Sequence, residues 1–248
     1  ENYGWDYGDY ILRETASCIL SCISDSQKVY KIASDEFIIL DTTSSDMTTA
    51  SKLYDHICKH INQFIEENNF TAVFTISAGI LPLPDLSRTG YEEIIKRTDF
   101  SLTVAKQHGR NCCYIFREEE YQNFLRIREI TNELHSAVNH GFRGFSIIFQ
   151  PVMDIRQDKL TGAEVLIRFA SKKFGPISPA EFIPLLETSG LIIPTGRWFM
   201  REAITACRKI RMQIPDFKVN INVSQVQITK SDIITDLISE MDASGLPP

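Results

Sequence analysis

The chain has 248 residues, 43% hydrophobic and 23% charged, with a formal net charge of −6. That length fits one large domain or two ordinary ones, and the composition is that of a globular chain able to bury a core. The acidic balance argues against non-specific nucleic-acid or anionic-membrane binding, and no apolar run approaches the ~18 residues that span a bilayer.

Apolar residues at Ile11, Leu12, Cys18, Ile19, Leu20 and Ile23 predict a helix over 9–24. Residues 28–32 and 37–40 read as two strands, joined by Ala33-Ser34-Asp35-Glu36, a link short enough for a hairpin. Residues 46–67 form an amphipathic helix with Ala50, Leu53, Ile57, Ile61, Phe64 and Ile65 on its apolar stripe. A strand over 72–80 is broken by Pro82 and Pro84. A helix over 90–108 stops at Gly109, and 112–116 is a strand. This order predicts an α+β domain over 1–116 with antiparallel pairing. A helix over 118–140 follows, with Leu125, Ile127, Ile130, Leu134 and Val138 at helical spacing.

The six cysteines (18, 22, 58, 112, 113 and 207) form no CxxC pair and read as buried free thiols of a reducing compartment. Cys18 and Cys22 share a helix face. His56-x-Cys58-x-His60 fits neither a helix face nor a zinc motif and reads as ordinary helix surface.

In the strand over 145–153, Phe145, Ile147 and Phe149 face one way and Ile148, Gln150 and Val152 the other. A turn over 154–160 and a turn-forming Thr161-Gly162 lead into a strand over 162–169. There Glu164, Leu166 and Arg168 share one face, and Val165, Ile167 and Phe169 the other. A carboxylate and a guanidinium on an apolar strand are costly unless paired or used. A structural ion pair and a ligand-binding pair both satisfy that demand. Pro179 and Ala180 start a helix, with Glu181 in its first turn. A longer helix covers 195–212. Over 217–224, Val219, Ile221 and Val223 alternate with Asn220, Asn222 and Ser224. The sequence opens at Glu1 without methionine and closes on Gly245-Leu246-Pro247-Pro248, a turn that should lead into another element, so it reads as a piece of a longer protein.

Four blocks fall in the order seen in GGDEF domains, the diguanylate cyclases related to adenylyl cyclases. They are Gly4-x-x-x-Gly8-Asp9-x-Ile11-Leu12, then Ala33-Ser34-Asp35-Glu36-Phe37, then Ser77-x-Gly79-Ile80, then Asp99-x-x-Leu102-x-x-Ala105-Lys106-x-x-Gly109-Arg110-Asn111. The resemblance implies a central, mostly antiparallel sheet with flanking helices. In the family two glycines open the hairpin so that backbone can approach nucleotide phosphates; here Ala33 and Ser34 stand there. At positions of positive φ they are expected to cost about 1–2 kcal/mol each. Asp35-Glu36 retains a carboxylate that could hold a divalent cation. The strand bearing the family's other metal-binding aspartate falls before Glu1, and Glu1 at best replaces one of the two guanine-reading residues. No arginine lies near Ser24, where the family's product-inhibition motif places one. The resemblance thus implies a degenerate unit without cyclase activity, acting as a structural or dimerising element or as a GTP-binding regulator.

A second set of blocks resembles the EAL domain of cyclic-di-GMP phosphodiesterases over residues 141–248. It comprises Phe149-Gln150-Pro151-Val152, Gly162-Ala163-Glu164-Val165-Leu166-Ile167-Arg168-Phe169, Gly175-x-Ile177-Ser178-Pro179-Ala180-Glu181-Phe182-Ile183-Pro184-Leu185-x-Glu187-x-x-Gly190-Leu191-Ile192, and Asn222-Val223-Ser224. The implied organisation is a GGDEF domain at 1–116, a connecting helix at 117–140 and the N-terminal part of an EAL domain at 141–248. The implied fold is α/β and α+β, the second part belonging to a TIM-like (β/α)8 barrel with catalytic groups at the C-terminal ends of strands.

By the same resemblance Glu164 and Asn222 are metal ligands, Arg168 contacts a substrate phosphate, and Gln150 and Leu166 belong to the substrate-binding surface. Oxygen ligands suit Mg2+ or Mn2+, and two such ions assist phosphodiester hydrolysis, here of cyclic-di-GMP to pGpG. The motif reads Glu-Val-Leu instead of Glu-Ala-Leu; Val165 faces away from Glu164, so the change touches packing alone. The family's later Glu, Asp-Asp pair, Lys and final Glu have no place in these residues, so this chain alone holds no complete catalytic set. The expectation is a cytoplasmic, homodimeric cyclic-di-GMP phosphodiesterase, with room for an inner-membrane tether outside this sequence and for GTP at the first domain. The alternative is a non-enzymatic receptor for cyclic-di-GMP or GTP, or a dimerisation module.

Overall fold

A computed structural model describes residues 5–43, 46–68, 74–83 and 90–245. The chain forms two compact units, Glu1–Gln122 and Asn123–Pro248.

The first unit runs α1 (Trp5–Cys22), β1 (Gln27–Lys31), β2 (Phe37–Asp41), α2 (Met47–Glu67), β3 (Ala78–Ile80), α3 (Tyr91–Gln107) and β4 (Cys113–Ile115). α2 opens on Asp46, whose carboxylate accepts the Thr48 N–H at 3.0 Å. That bond, first among the causes, holds the Asp46 carboxyl below its ordinary range. One stripe of α2 buries Tyr54, Ile57 and Ile61, and the last two pack with Ile19 of α1.

β1 and β2 form the expected antiparallel hairpin, in register from Gln27↔Asp41 to Lys31↔Phe37. Neither Ala33 nor Ser34 has positive φ. The strain expected of them is therefore absent: the link closes through the Ile32 N–H donating to the Glu36 carbonyl at 3.1 Å, without a left-handed residue.

β3 and β4 pair in parallel, Ala78↔Cys113 to Ile80↔Ile115. A strand–helix–strand crossover through α3 returns the chain in the same direction, so parallel pairing follows. The strands expected in one mostly antiparallel sheet are, among the described residues, two two-stranded ladders, one of each kind. Of the strand predicted over 72–80, the described residues 74–80 are strand at 78–80; Ala72 and Val73, like Glu1, Gly4, Pro84 and residues 246–248, lie outside the described residues. A Cβ on Gly79 would stand 2.5 Å from the Leu102 backbone nitrogen, so glycine lets α3 lie close on β3.

α4 (Glu118–Asn139) carries the chain into the second unit: β5 (Phe145–Asp154), β6 (Lys159–Ser171), β7 (Gly175–Ile177), α5 (Pro179–Thr188), α6 (Ile192–Arg211), β8 (Lys218–Ile221), α7 (Gln225–Lys230) and α8 (Ile233–Ser244). β6 is the organising strand. β5 pairs with it antiparallel, β7 antiparallel near its end, and β8 parallel. The sheet is open, as in part of a barrel. Pro151, which has no N–H to donate, sits on the edge strand β5. The apolar face of the sheet packs on the helices: Phe145 and Phe169 join Ile130, Leu134, Phe182 and Leu186 in one core.

The turn between β5 and β6 occupies 155–158, closed by Asp158 at φ 46°, and β6 begins at Lys159. Gly162 therefore does not form a turn, as its sequence neighbours suggested. It lies inside β6 opposite Lys218, and a Cβ there would stand 2.5 Å from the Lys218 carbonyl oxygen. Glycine at 162 is what allows β8 to reach its register. Gly162→Ala should therefore cost about 1–3 kcal/mol of stability in urea unfolding; an unchanged midpoint would show that the two backbones are not in close contact.

Candidate functional site: the end of the β6–β8 pair

Alternation along β6 puts Glu164, Leu166 and Arg168 on one face of the sheet. Residues opposite one another in an antiparallel ladder share a face, so register brings Gln150 beside Glu164, Ile148 beside Leu166 and Ser146 beside Arg168. Across the other ladder Glu164 is opposite Asn220. Asn222 stands one residue past the end of β8, and its Nδ2 donates to Glu164 Oε1 at 2.7 Å. The structure thus brings Gln150, Glu164, Leu166, Arg168 and Asn222 to one face, with Glu164 and Asn222 in direct contact.

Glu164 and Arg168 form no ion pair with each other. The Arg168 guanidinium instead donates from Nη1 to the Ile167 carbonyl at 2.8 Å. Of the two readings of that pair, the structural salt bridge is excluded by geometry. Arg168 has further N–H donors than this bond uses.

A cavity of about 340 Å³ opens at the C-terminal end of β6 and β8, with Arg168, Glu187, Asn222 and Ser224 among its polar lining and Phe199 and Leu186 among its apolar lining. Glu164 and Gln150 stand outside it, on the open face. Thr195 also lines the cavity; it is fully buried and its hydroxyl has no hydrogen-bond partner.

Glu187 was not singled out as a site residue from sequence, because one acid on an amphipathic helix looks like solvated surface. Its Oε1 accepts from Ser224 Oγ at 2.6 Å. Ser224 also accepts the Val226 N–H at 3.1 Å, and its own N–H donates to Gln227 Oε1 at 3.1 Å, a reciprocal cap on α7. The buried Gln227 side chain lies against Gly196 of α6. Through these bonds the segment carrying Asn222 is fixed. Ser224→Ala should cost about 1 kcal/mol of stability, measured by thermal unfolding; no loss would mean the cap is not used.

The donor set on the open face is a carboxylate and a side-chain amide, both able to present oxygen, which fits a hard divalent cation. The Asn222 amide would have to turn its oxygen toward the ion, and the amide orientation is an assignment from hydrogen bonding. In the first unit the hairpin turn is exposed: Ser34 Oγ donates to Asp35 Oδ1 at 3.3 Å, and Lys106 Nζ lies 3.4 Å from Glu36. That ion pair is solvent-exposed and contributes little.

Residues 131–248 match the EAL domain family, and residues 1–112 match the family described as diguanylate cyclase, GGDEF domain. The chain is a GGDEF–EAL tandem. It is similar to the bifunctional diguanylate cyclase/cyclic di-GMP phosphodiesterase MucR of Pseudomonas aeruginosa, 26% identical over 99% of this chain and 36% of that protein. It is likewise similar to the cyclic di-GMP phosphodiesterase PdeR of Escherichia coli, 27% identical over 95% of this chain and 35% of that protein. The GGDEF–EAL chain therefore spans about a third of the length of these curated relatives. Among solved structures, the MucR phosphodiesterase in complex with c-di-GMP overlaps 48% of each chain at 26% identity, with a TM-score of 0.43. The tandem is a bacterial signalling type, and no helix among its described residues is long and apolar enough to cross a membrane.

Proposed function

We propose that this GGDEF–EAL tandem belongs to a cytoplasmic, homodimeric protein that hydrolyses cyclic-di-GMP to linear pGpG, with domains at 1–116 and 141–248 joined by a helix at 117–140. The observation that carries the reading is the 2.7 Å contact between Glu164 and Asn222 on the face that also bears Arg168 and Gln150. These are the residues that the resemblance assigns to metal and substrate. Mg2+ or Mn2+, held by Glu164 and Asn222, would supply charge neutralisation at the phosphate and a water activated for attack. Arg168 orients a phosphate through the guanidinium donors left free by its bond to Ile167. Gln150, exposed beside Glu164, offers an amide to the ligand, and Leu166 between the two charged residues gives it an apolar floor. Glu187 positions the Asn222-Val223-Ser224 segment through its bond from Ser224.

The first domain acts as a structural, dimerising or GTP-binding regulatory part. Its hairpin carries Ala33 and Ser34 where the family has glycines, and their side chains add bulk at the approach to a nucleotide even though their backbone is unstrained. A non-enzymatic receptor for cyclic-di-GMP is the second reading, since Arg168 and Gln150 on this face would hold the ligand whether or not it is cleaved.

Calorimetric titration of the full-length protein with cyclic-di-GMP after chelation of divalent metal, so that the ligand stays intact, tests the ligand. Loss of a charge-assisted hydrogen bond removes about 1.5–3 kcal/mol, so Arg168→Ala should weaken binding by roughly ten- to a hundredfold. Equal affinity of the variant and the parent protein would remove Arg168 from the site.

A further inference from the structure

His56 and His60 read from sequence as ordinary helix surface. The structure places both on the surface of α2, as read, and adds their mutual geometry. They stand one turn apart on the same face of α2, with ring centroids 4.7 Å apart. Cys58, between them in sequence, is not part of the cluster. The third member comes from another helix: Cys22, the last residue of α1, places its Sγ toward the two rings. The sulfur and one ring nitrogen from each histidine all lie within 4.8 Å of one another.

We propose that Cys22, His56 and His60 form a binding site for a thiophilic divalent transition metal, with Zn2+ as the natural occupant, clamping the end of α1 to the middle of α2. Sulfur and imidazole select zinc-like ions over Mg2+, Mn2+ or Ca2+, which prefer oxygen, so this site is chemically separate from the one proposed at Glu164. A tetrahedral ion with ligands at about 2.0–2.3 Å sets them roughly 3.3–3.8 Å apart, so closing the site takes movements of about 1 Å. All three residues have the freedom for this, since His56 is exposed and Cys22 and His60 are half-buried.

Two further features favour a cation there. The C-terminal end of α1 carries the negative pole of the helix, and no basic residue in its last turn answers it. Beneath the three ligands Ile19, Ile57 and Ile61 form a packed floor, so the helices that bring the ligands together are held by their own core. Binding would exchange the thiol proton of Cys22 for the ion. The fourth position is left to water.

The test uses the whole chain, purified under reducing conditions and stripped of metal, then titrated with Co2+. One equivalent should bind per chain and give a thiolate-to-cobalt charge-transfer band that one equivalent of Zn2+ bleaches and excess Mg2+ does not. Cys22→Ser should abolish the band, and the exposed His56→Ala should weaken cobalt binding at least tenfold. Cys112→Ser should leave both unchanged, and circular dichroism should show each variant folded. Absence of a band from the folded parent chain overturns the site. So does a band that survives Cys22→Ser, or one lost only on replacing Cys112.

Discussion

Replacing Phe182 with alanine is expected to destabilise the second unit by about 3–5 kcal/mol. Phe182 is fully buried on α5, with its ring 6.2 Å from that of Phe145 and 5.9 Å from that of Phe169. It thus joins the first helix after β7 to two paired strands, β5 and β6. Removing the ring leaves a cavity between helix and sheet in addition to the lost transfer energy. Domains of this kind are stable by only about 5–15 kcal/mol, so the loss is a large part of the whole. Trp198 is a convenient reporter, because it stacks on Phe142 at 5.2 Å and lies 5.8 Å from Phe145. Its fluorescence midpoint in urea should fall sharply for Phe182→Ala, and by about 1.5 kcal/mol or less for Phe182→Leu, which keeps most of the volume. Equal effects of the two variants would mean that the aromatic cluster does not set the stability of this unit.

Glu164→Gln should leave the fold intact and remove hydrolysis. The amide keeps the shape of the side chain and can still accept from Asn222 through its own oxygen, so β6 and β8 have no reason to separate. What it removes is the negative charge proposed to hold a divalent cation. Charge stabilisation by such an ion is worth several kcal/mol, so the rate of cyclic-di-GMP hydrolysis by the full-length protein should fall on the order of a thousandfold. Unfolding temperature should be unchanged. A variant that keeps more than a tenth of the rate would take Glu164 out of the metal site.

How far the sequence carries this picture depends on where each signal resides. Alternation along β6 already groups Glu164, Leu166 and Arg168, because a strand has only two faces. Apolar spacing locates α2 and α3, because each buries a stripe against neighbours of its own unit. Features that depend on a second segment were not legible. Gly162 looks like a turn residue until β8 is seen to press on it. Glu187 looks like helix surface until Ser224 is seen to donate to it. His56 and His60 suggest nothing until Cys22 arrives from α1. The strain assigned to Ala33 and Ser34 rested on the family's glycines, and a hairpin of this length closes without left-handed residues. The parallel pairing of β3 and β4 needed the crossover to be seen, since three-residue strands carry no directional signal.

The most direct test of the account is to incubate the full-length protein with cyclic-di-GMP and Mg2+ or Mn2+ and to separate the nucleotides by chromatography. The account predicts linear pGpG appearing in step with the loss of cyclic-di-GMP, and none after chelation of the metal. Cyclic-di-GMP that binds and stays intact would contradict it and leave the chain as part of a receptor.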